Sequence, residues 1–259
     1  MDTLKPRKID ICLCAKNRNS IINIVLKKIE SITKDLDCNI ILVDGFSKDG
    51  TSANLYDFKR DHEDNCIIKQ IKDEESYIEA YNLAMSLTSS EYVCWLDSDD
   101  LCDDNKLKIQ SQYLDEHPDV DIVSTSTYFS KSEAIGNTLI DFDNKELTST
   151  LKNGTPMLSL CHFQSVMFRR SCLDIFKNGI YFFPEYVGGF AGEGFLYVLH
   201  FIGKKKFANI SNTYYIYNRG ILENSLTNTI EPLYANSVNE LTYNDKKVEI
   251  TRLFKKYNS

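Results

Sequence analysis

The chain has 259 residues, 42% of them hydrophobic and 12% aromatic, with a formal net charge of −7. A chain of that length buries roughly three-quarters of its unfolded surface, enough for one sizeable domain or two tightly fused halves. The acidic balance argues against a general nucleic-acid binder, which carries a basic face, and without a run of eighteen apolar residues no transmembrane helix is expected.

The N-terminus, Met1 to Lys8, is polar and charged and lacks the apolar centre of a signal peptide. The expected location is cytoplasmic, with peripheral membrane association left open. Eight cysteines are present but no Cys-x-x-Cys pair, and Cys161-His162 has no partners at zinc-ligand spacing. Cys12, Cys14 and Cys94 lie in apolar runs, where cysteine behaves as a small buried hydrophobe. Reduced thiols are therefore expected.

Ile9 to Cys14 reads as a first strand, and Ile21, Ile24, Val25, Lys28, Ile29 and Ile32 follow a helical period capped at Asn19 or Ser20. Asn39 to Val43 is a second strand, apolar on both faces as buried parallel strands are. It ends in the loop Asp44-Gly45-Phe46-Ser47-Lys48-Asp49-Gly50-Thr51. Cys66 to Ile71 is a third strand. Tyr77, Ala80, Tyr81, Ala84 and Thr88 trace a helical face, and Tyr92 to Leu96 is a fourth strand.

This βαβαβαβ series predicts a mostly parallel sheet covered by helices, with ligands outside the carboxyl ends of its strands. Asp103 or Asp104 is expected to cap a helix through Leu107, Tyr113 and Leu114, stopped by His117-Pro118. Val120 to Thr127 alternates like a strand, residues 130–155 read as a loop or edge hairpin, Phe163 to Arg170 as a strand and Phe195 to Ile202 as a helix. From Pro232 onward one or two surface helices are expected.

Chemistry concentrates where strands end. Leu96-Asp97-Ser98-Asp99-Asp100 puts three carboxylates within four residues at the close of an apolar strand. Hard oxygen ligands so placed suit Mg²⁺ or Mn²⁺ carrying a diphosphate. Asp44, at a neighbouring strand end, can accept the imide N–H of a pyrimidine base. Asp97 can reach ribose or the metal, and Asp99 is the metal ligand expected. Taken singly, each acidic residue is explained as well by a turn or a helix cap.

Four ordered segments carry a resemblance: Asn17-Arg18; Val43-Asp44-Gly45-Phe46-Ser47-Lys48-Asp49-Gly50-Thr51; Glu79-Ala80-Tyr81-Asn82; and Leu96-Asp97-Ser98-Asp99-Asp100. Over residues 9–120 the chain resembles a family 2 glycosyltransferase of the GT-A fold, and Lys106-Leu107 and His117-Pro118-Asp119-Val120 match the usual sequel. The resemblance implies an α/β fold, Rossmann-like with a mostly parallel central sheet flanked by helices, and here a C-terminal helical tail. It divides the single GT-A domain into a nucleotide-sugar half at 1–105 and an acceptor half at 106–225, followed by the tail at 226–259.

The implied activity is metal-dependent transfer of a sugar from a nucleoside diphosphate donor, most readily a UDP sugar, to a saccharide or other hydroxyl acceptor. Inversion at the anomeric carbon, Mn²⁺ or Mg²⁺ as cofactor, and no nucleic-acid partner complete the expectation. By the same resemblance Cys14, Ala15, Asn17, Arg18, Asp44, Glu79, Asn82, Asp97 and Ser98 contact the donor, and Lys16 adjoins the base pocket. Asp99 and His162 are the implied metal ligands, with His162 also near the diphosphate or acceptor.

Inversion requires a general base beside the acceptor hydroxyl. Glu193 stands where the family carries an acidic pair, but Gly194 replaces the aspartate that often follows, and Glu185 is the alternative. Arg169 and Arg170 are candidate phosphate ligands. Two other readings are kept: a sugar-nucleotide-binding protein of the same fold that has lost turnover, and a haloacid-dehalogenase-type phosphatase, which places its Asp-x-Asp on the first strand instead.

Overall fold

The structure is a computed structural model and describes residues 4–129, 144–153, 157–186, 191–217 and 241–259. Its centre is an eight-stranded sheet in the order β3-β2-β1-β4-β7-β6-β8-β5. The first four strands, β1 (Ile9–Ala15), β2 (Cys38–Asp44), β3 (Cys66–Gln70) and β4 (Tyr92–Asp97), are parallel. They alternate with α1 (Ile22–Thr33), α2 (Thr51–Asp61) and α3 (Tyr77–Ser86), as the alternation of apolar runs predicts. β5 (Leu101–Cys102) and α4 (Lys106–Glu116) follow.

Strands covered on both faces should be apolar throughout, and β1, β2 and β4 are buried along almost their whole length. The polar exception in β1 is Asp10, which is fully buried at the end of the sheet away from the ligand edge. Its carboxylate accepts from Ser89 N (2.5 Å), Ser90 N (2.8 Å), Ser90 Oγ (2.5 Å) and Asn39 Nδ2 (3.0 Å), so the charge is compensated by donors from two other segments.

β6 (Ile122–Phe129) runs parallel to β8 (Phe207–Tyr217), with a register shift between Thr125 and Ser126. The expected strand over Phe163 to Arg170 is divided. Phe163–Ser165 forms a 3-10 turn in which Ser165 Oγ donates to His162 O, and only β7 (Met167–Arg169) is extended. β7 is inserted antiparallel between β4 and β6, so one continuous sheet crosses the expected boundary at residue 105.

Within the segment expected to be a loop or hairpin, residues 144–152 form a helix, α5 (Asn144–Lys152), followed by the single turn α6 (Met157–Leu160). Of that expectation, 130–143 and 154–155 lie outside the described residues. α1 also departs from expectation. It has no side-chain cap, and its first N–H groups, of Ile21 and Ile22, donate to the Arg18 carbonyl instead.

α7 (Ala191–Phe201) is buried on all sides and packs against the last helix, α8 (Tyr243–Asn258). α8 begins with a capping box in which Thr242 and Asp245 satisfy each other's backbone N–H. Lys246, Ile250 and Leu253 form its buried face, Phe254 meets Phe176 edge-on, and Tyr257 stacks on Phe183. The rest of the expected tail, 226–240, is outside the described residues. Among the described residues no helix is long and apolar enough to cross a membrane.

All eight cysteines are free, and seven are buried; Cys14 is half-buried. Burial pushes the Cys66, Cys94, Cys161 and Cys172 thiols up to about 12.

Candidate active site

Register explains why the acidic residues converge. Ala15 of β1 lies level with Asp44 of β2, and Cys14 lies level with Asp97 of β4. Three strand ends therefore open on one edge, and the loops leaving them form its rim.

The β1–α1 and β2–α2 loops are tied into one unit. Asn17, in the left-handed region at φ 53°, accepts from Lys48 N through its side chain (2.8 Å), and its own N–H donates to Ser47 Oγ (3.0 Å). Arg18 N donates to Thr51 Oγ1 (2.6 Å), and Asn19 N to Asp49 (3.1 Å). Gly45 is required by proximity, because a Cβ there would sit 2.8 Å from Lys16 Cβ.

Asp44 has no exposed surface. One oxygen accepts from Ser47 N (3.2 Å) and Ser47 Oγ (2.6 Å), the other from Gln70 Nε2 (2.6 Å). In this arrangement Asp44 shapes the loop, and a direct contact with a base requires Ser47 or Gln70 to turn away.

At the end of β4, Asp97, Asp99 and Asp100 bring one carboxylate oxygen each to within 4.8 Å of one another. Asp97 Oδ1 accepts from Trp95 Nε1 (3.0 Å) and from Tyr81 OH (3.5 Å), and Gln164 also bonds to this carboxylate. Burial, reinforced by the charge of Asp99, lifts the Asp97 carboxyl to about 7. Burial also raises Asp99, against the opposing pull of Arg18. The Arg18 guanidinium lies 3.5 Å from Asp99, and both side chains are largely enclosed. Ser98 is buried between the two aspartates. Three hard oxygens at this spacing fit a divalent cation.

The remaining candidates divide. Ala15 is buried, and Cys14 donates its thiol to Ala80 O (3.5 Å) beneath the same edge. Glu79, expected to face the donor, accepts from Ser76 N (2.9 Å) and from Ser76 Oγ, closing a capping box at the start of α3. Asn82 is also engaged elsewhere. Its Oδ1 accepts from Tyr181 N (2.8 Å) and Phe182 N (2.9 Å), and its Nδ2 donates to Phe182 O (3.1 Å). Both residues thus hold protein backbone, and neither is retained as a donor contact.

His162 precedes the 3-10 turn and is buried, which lowers its imidazole to about 4. It does not join the cluster of ligand atoms, which comes from the three aspartates alone among the described residues. Arg169 donates to Leu114 O (2.6 Å), Val120 O (2.8 Å) and His117 O (3.2 Å), closing the carboxyl end of α4 instead of meeting phosphate. Arg170 binds Thr88 O (3.2 Å) and Asp174 (3.3 Å).

Glu193 lies in the first turn of α7 with a side chain only 1% exposed, 3.7 Å from Lys246 of α8 and hydrogen-bonded to Tyr197. Glu185 is exposed and pairs with Lys256 of the same helix. Gly194 is demanded by packing: a Cβ there would stand 2.8 Å from Tyr186 Cδ1, so the Tyr186 ring fills the space an aspartate side chain would enter.

Trp95, Gln164, Gln70 and Lys246 are absent from the sequence-based list of site residues. Trp95 alone had a readable signal, as an indole two residues before Asp97 on the strand that ends in the carboxylates. The other three reach their partners across long sequence separations.

Solved structures resemble the chain over most of its length. The S. aureus TarS fragment 1–349 gives a TM-score of 0.63 at 17% identity, covering 96% of this chain and 70% of the fragment. Against the longer TarS structure the chain spans 43% of the length. A mannosyltransferase from Pyrobaculum calidifontis, in complex with GDP-Man and Mn²⁺, gives 0.60 at 18% identity over 83% of this chain and 59% of that one. Glucosyl-3-phosphoglycerate synthase from Mycobacterium tuberculosis, with Mn²⁺, UDP and phosphoglyceric acid, gives 0.53 at 18% identity over 79% and 68%. These likenesses establish the GT-A fold. No curated protein matches the sequence significantly. The family profile described as glycosyl transferase family 2 matches residues 10–176, which takes in the sheet edge, both tied loops and the acidic cluster, and the chain belongs to that family.

Proposed function

We propose that this glycosyltransferase moves a sugar from a nucleoside diphosphate donor, most readily a UDP sugar, to a hydroxyl of a saccharide or similar acceptor, with inversion. The observation that carries the reading is the group of three carboxylate oxygens within 4.8 Å at the end of β4, beside the tied loops. Asp99, with Asp97 and Asp100, would hold Mn²⁺ or Mg²⁺, and His162 is not part of that set. A divalent ion there supplies neutralisation of the diphosphate and of the charge that develops on the leaving nucleotide.

The chain's own residues do the rest. Trp95 and Gln164 orient Asp97, and the backbone of residues 14–18 lines the base and ribose side. Asn17 and Ser47 fix the rim. Glu193 is the candidate base, held by Lys246 and Tyr197. Support for the nucleotide comes from relatives of the same fold, since TarS 1–349 has been solved with UDP and with UDP-GlcNAc. The phosphatase reading has no support, because the acidic motif ends β4 and the fold is GT-A.

A second reading, a sugar-nucleotide binder without turnover, is favoured by one observation: Tyr186 takes the space at Gly194 and Glu193 is enclosed. The two readings separate cleanly. UDP should raise the melting temperature only when Mn²⁺ is present, and Asp99→Ala should erase that rise. Glu193→Gln should then keep UDP affinity while transfer falls at least about a hundredfold. Stabilisation by UDP with no transfer from any UDP sugar favours the second reading, and equal turnover in wild type and Glu193→Gln removes Glu193 as base.

A further inference from the structure

We propose that Arg18 is a built-in counter-cation of the acidic cluster, opposing a lone divalent ion at Asp99 and turning to the donor's diphosphate when ion and nucleotide arrive together. The proposal rests on the donor-site reading above and specifies how that site couples its two ligands. Arg18 would in this way make the metal bind well only as part of the donor complex.

The geometry points there from three sides. First, the guanidinium is aimed: Nη2 lies 3.5 Å from Asp99 Oδ2, with side chains 9% and 18% exposed. Second, it is held in that aim. Nη1 donates to Lys16 O (3.0 Å), while the Arg18 backbone is fixed through its N–H on Thr51 Oγ1 (2.6 Å) and its carbonyl on Ile21 N and Ile22 N. Third, the residue beside it, Asn17, adopts a left-handed backbone and binds the β2–α2 loop, so the segment has little freedom to carry Arg18 away.

The charges decide the consequence. Three carboxylates share the strand end, and from the β1 side Arg18 pairs with one of them, Asp99. A divalent ion arriving alone must take Asp99 from a guanidinium already there, or lie against its positive charge. A diphosphate changes the sign of that encounter. Its oxygens outweigh the ion's charge, and the planar guanidinium has donors suited to phosphate. Arg18 then gains a partner as Asp99 is released to the ion. Each ligand relieves the obstacle to the other, and linkage requires the effect to be reciprocal.

The test measures binding, not turnover. Mn²⁺ affinity is measured by electron paramagnetic resonance without nucleotide and with saturating UDP, and UDP affinity by calorimetry with and without Mn²⁺. The chains compared are wild type, Arg18→Gln, Arg18→Lys and Asp99→Asn. Arg18→Gln should bind Mn²⁺ alone about five- to tenfold more tightly than wild type, while the mutual enhancement by UDP and Mn²⁺ falls by a similar factor. Arg18→Lys, which keeps the charge, should stay near wild type for Mn²⁺ alone, and Asp99→Asn should lose Mn²⁺ binding. If Arg18→Gln binds Mn²⁺ alone no better than wild type while UDP and Mn²⁺ still bind together, the counter-cation idea is overturned and the donor site stands. If Arg18→Gln does not fold, Arg18→Lys decides, since a Mn²⁺ affinity well above wild type with the charge retained also overturns it. Absence of UDP binding in the wild-type chain defeats the donor-site reading itself.

Discussion

Replacing Lys246 by Met removes a charge from a buried pair while keeping a side chain of similar length. The Lys246 ammonium and the Glu193 carboxylate are 3.7 Å apart, and their side chains are 7% and 1% exposed. At that distance and an effective dielectric near 20, the attraction is about 4–5 kcal/mol. Removing one partner of such a pair costs roughly 3–5 kcal/mol, because the remaining charge stays buried. The variant has one escape, which is to let Glu193 take up a proton. From an ordinary glutamate value of about 4.3, protonation at pH 7 costs about 3.7 kcal/mol, and at pH 5 only about 1 kcal/mol. Those figures cap the loss.

In the variant the folded-state carboxyl is raised above its unfolded value, so stability is retained at low pH and lost as pH rises. The expected deficit against wild type is therefore about 3–4 kcal/mol at pH 7 and about 1 kcal/mol at pH 5. For a chain of this length that is a melting temperature lower by roughly 6–7 °C at pH 7 and by less than about 2 °C at pH 5. Urea denaturation at both pH values, with the double variant Lys246→Met/Glu193→Leu as control, measures it. The double variant should recover most of the loss. A deficit that is absent, or equal at the two pH values, refutes the reasoning.

Two further perturbations test the packing around the site. Gly194→Ala should lower stability by about 1–3 kcal/mol, since its Cβ would meet Tyr186 Cδ1 at 2.8 Å, and Tyr186→Leu in the same chain should restore part of it. Asn82→Ala removes three hydrogen bonds to residues 181–182 and should cost about 2–4 kcal/mol in urea denaturation. UDP affinity in the presence of Mn²⁺ should hardly change, and a large fall in that affinity with unchanged stability would return Asn82 to the donor site.

The first hundred residues were readable because their signals are local. Buried parallel strands such as Ile40 to Val43 are apolar runs, and the helices between them keep a 3.6-residue period. The end of β4 was readable for the same reason: an apolar strand closes on carboxylates with no intervening turn. Glu79 shows a signal that was present and outweighed. Ser76 and Glu79 have the Ser-x-x-Glu spacing of a capping box, and that is what they form. Asn82 had no such signal, since its partners lie 99 and 100 residues away. β7 is three residues long, too short for an alternating pattern to declare itself, and its pairing with β4 is a tertiary outcome. The enclosure of Glu193 by Lys246 could not be inferred either, because it depends on α8 returning to pack against α7.

The eight free thiols give the chain its own set of conformational clocks. One or more sits on each of β1 to β5, and two more, Cys161 and Cys172, flank β7. Shielding and the weakened acidity of the buried thiols leave little reactive thiolate in the closed fold. Alkylation at the seven buried positions therefore waits on an opening event there, and the labelling rate reports how often that part of the fold comes apart. Pulsed labelling of the unaltered chain, read peptide by peptide in a mass spectrometer, would rank the strands by local stability without introducing a single probe residue.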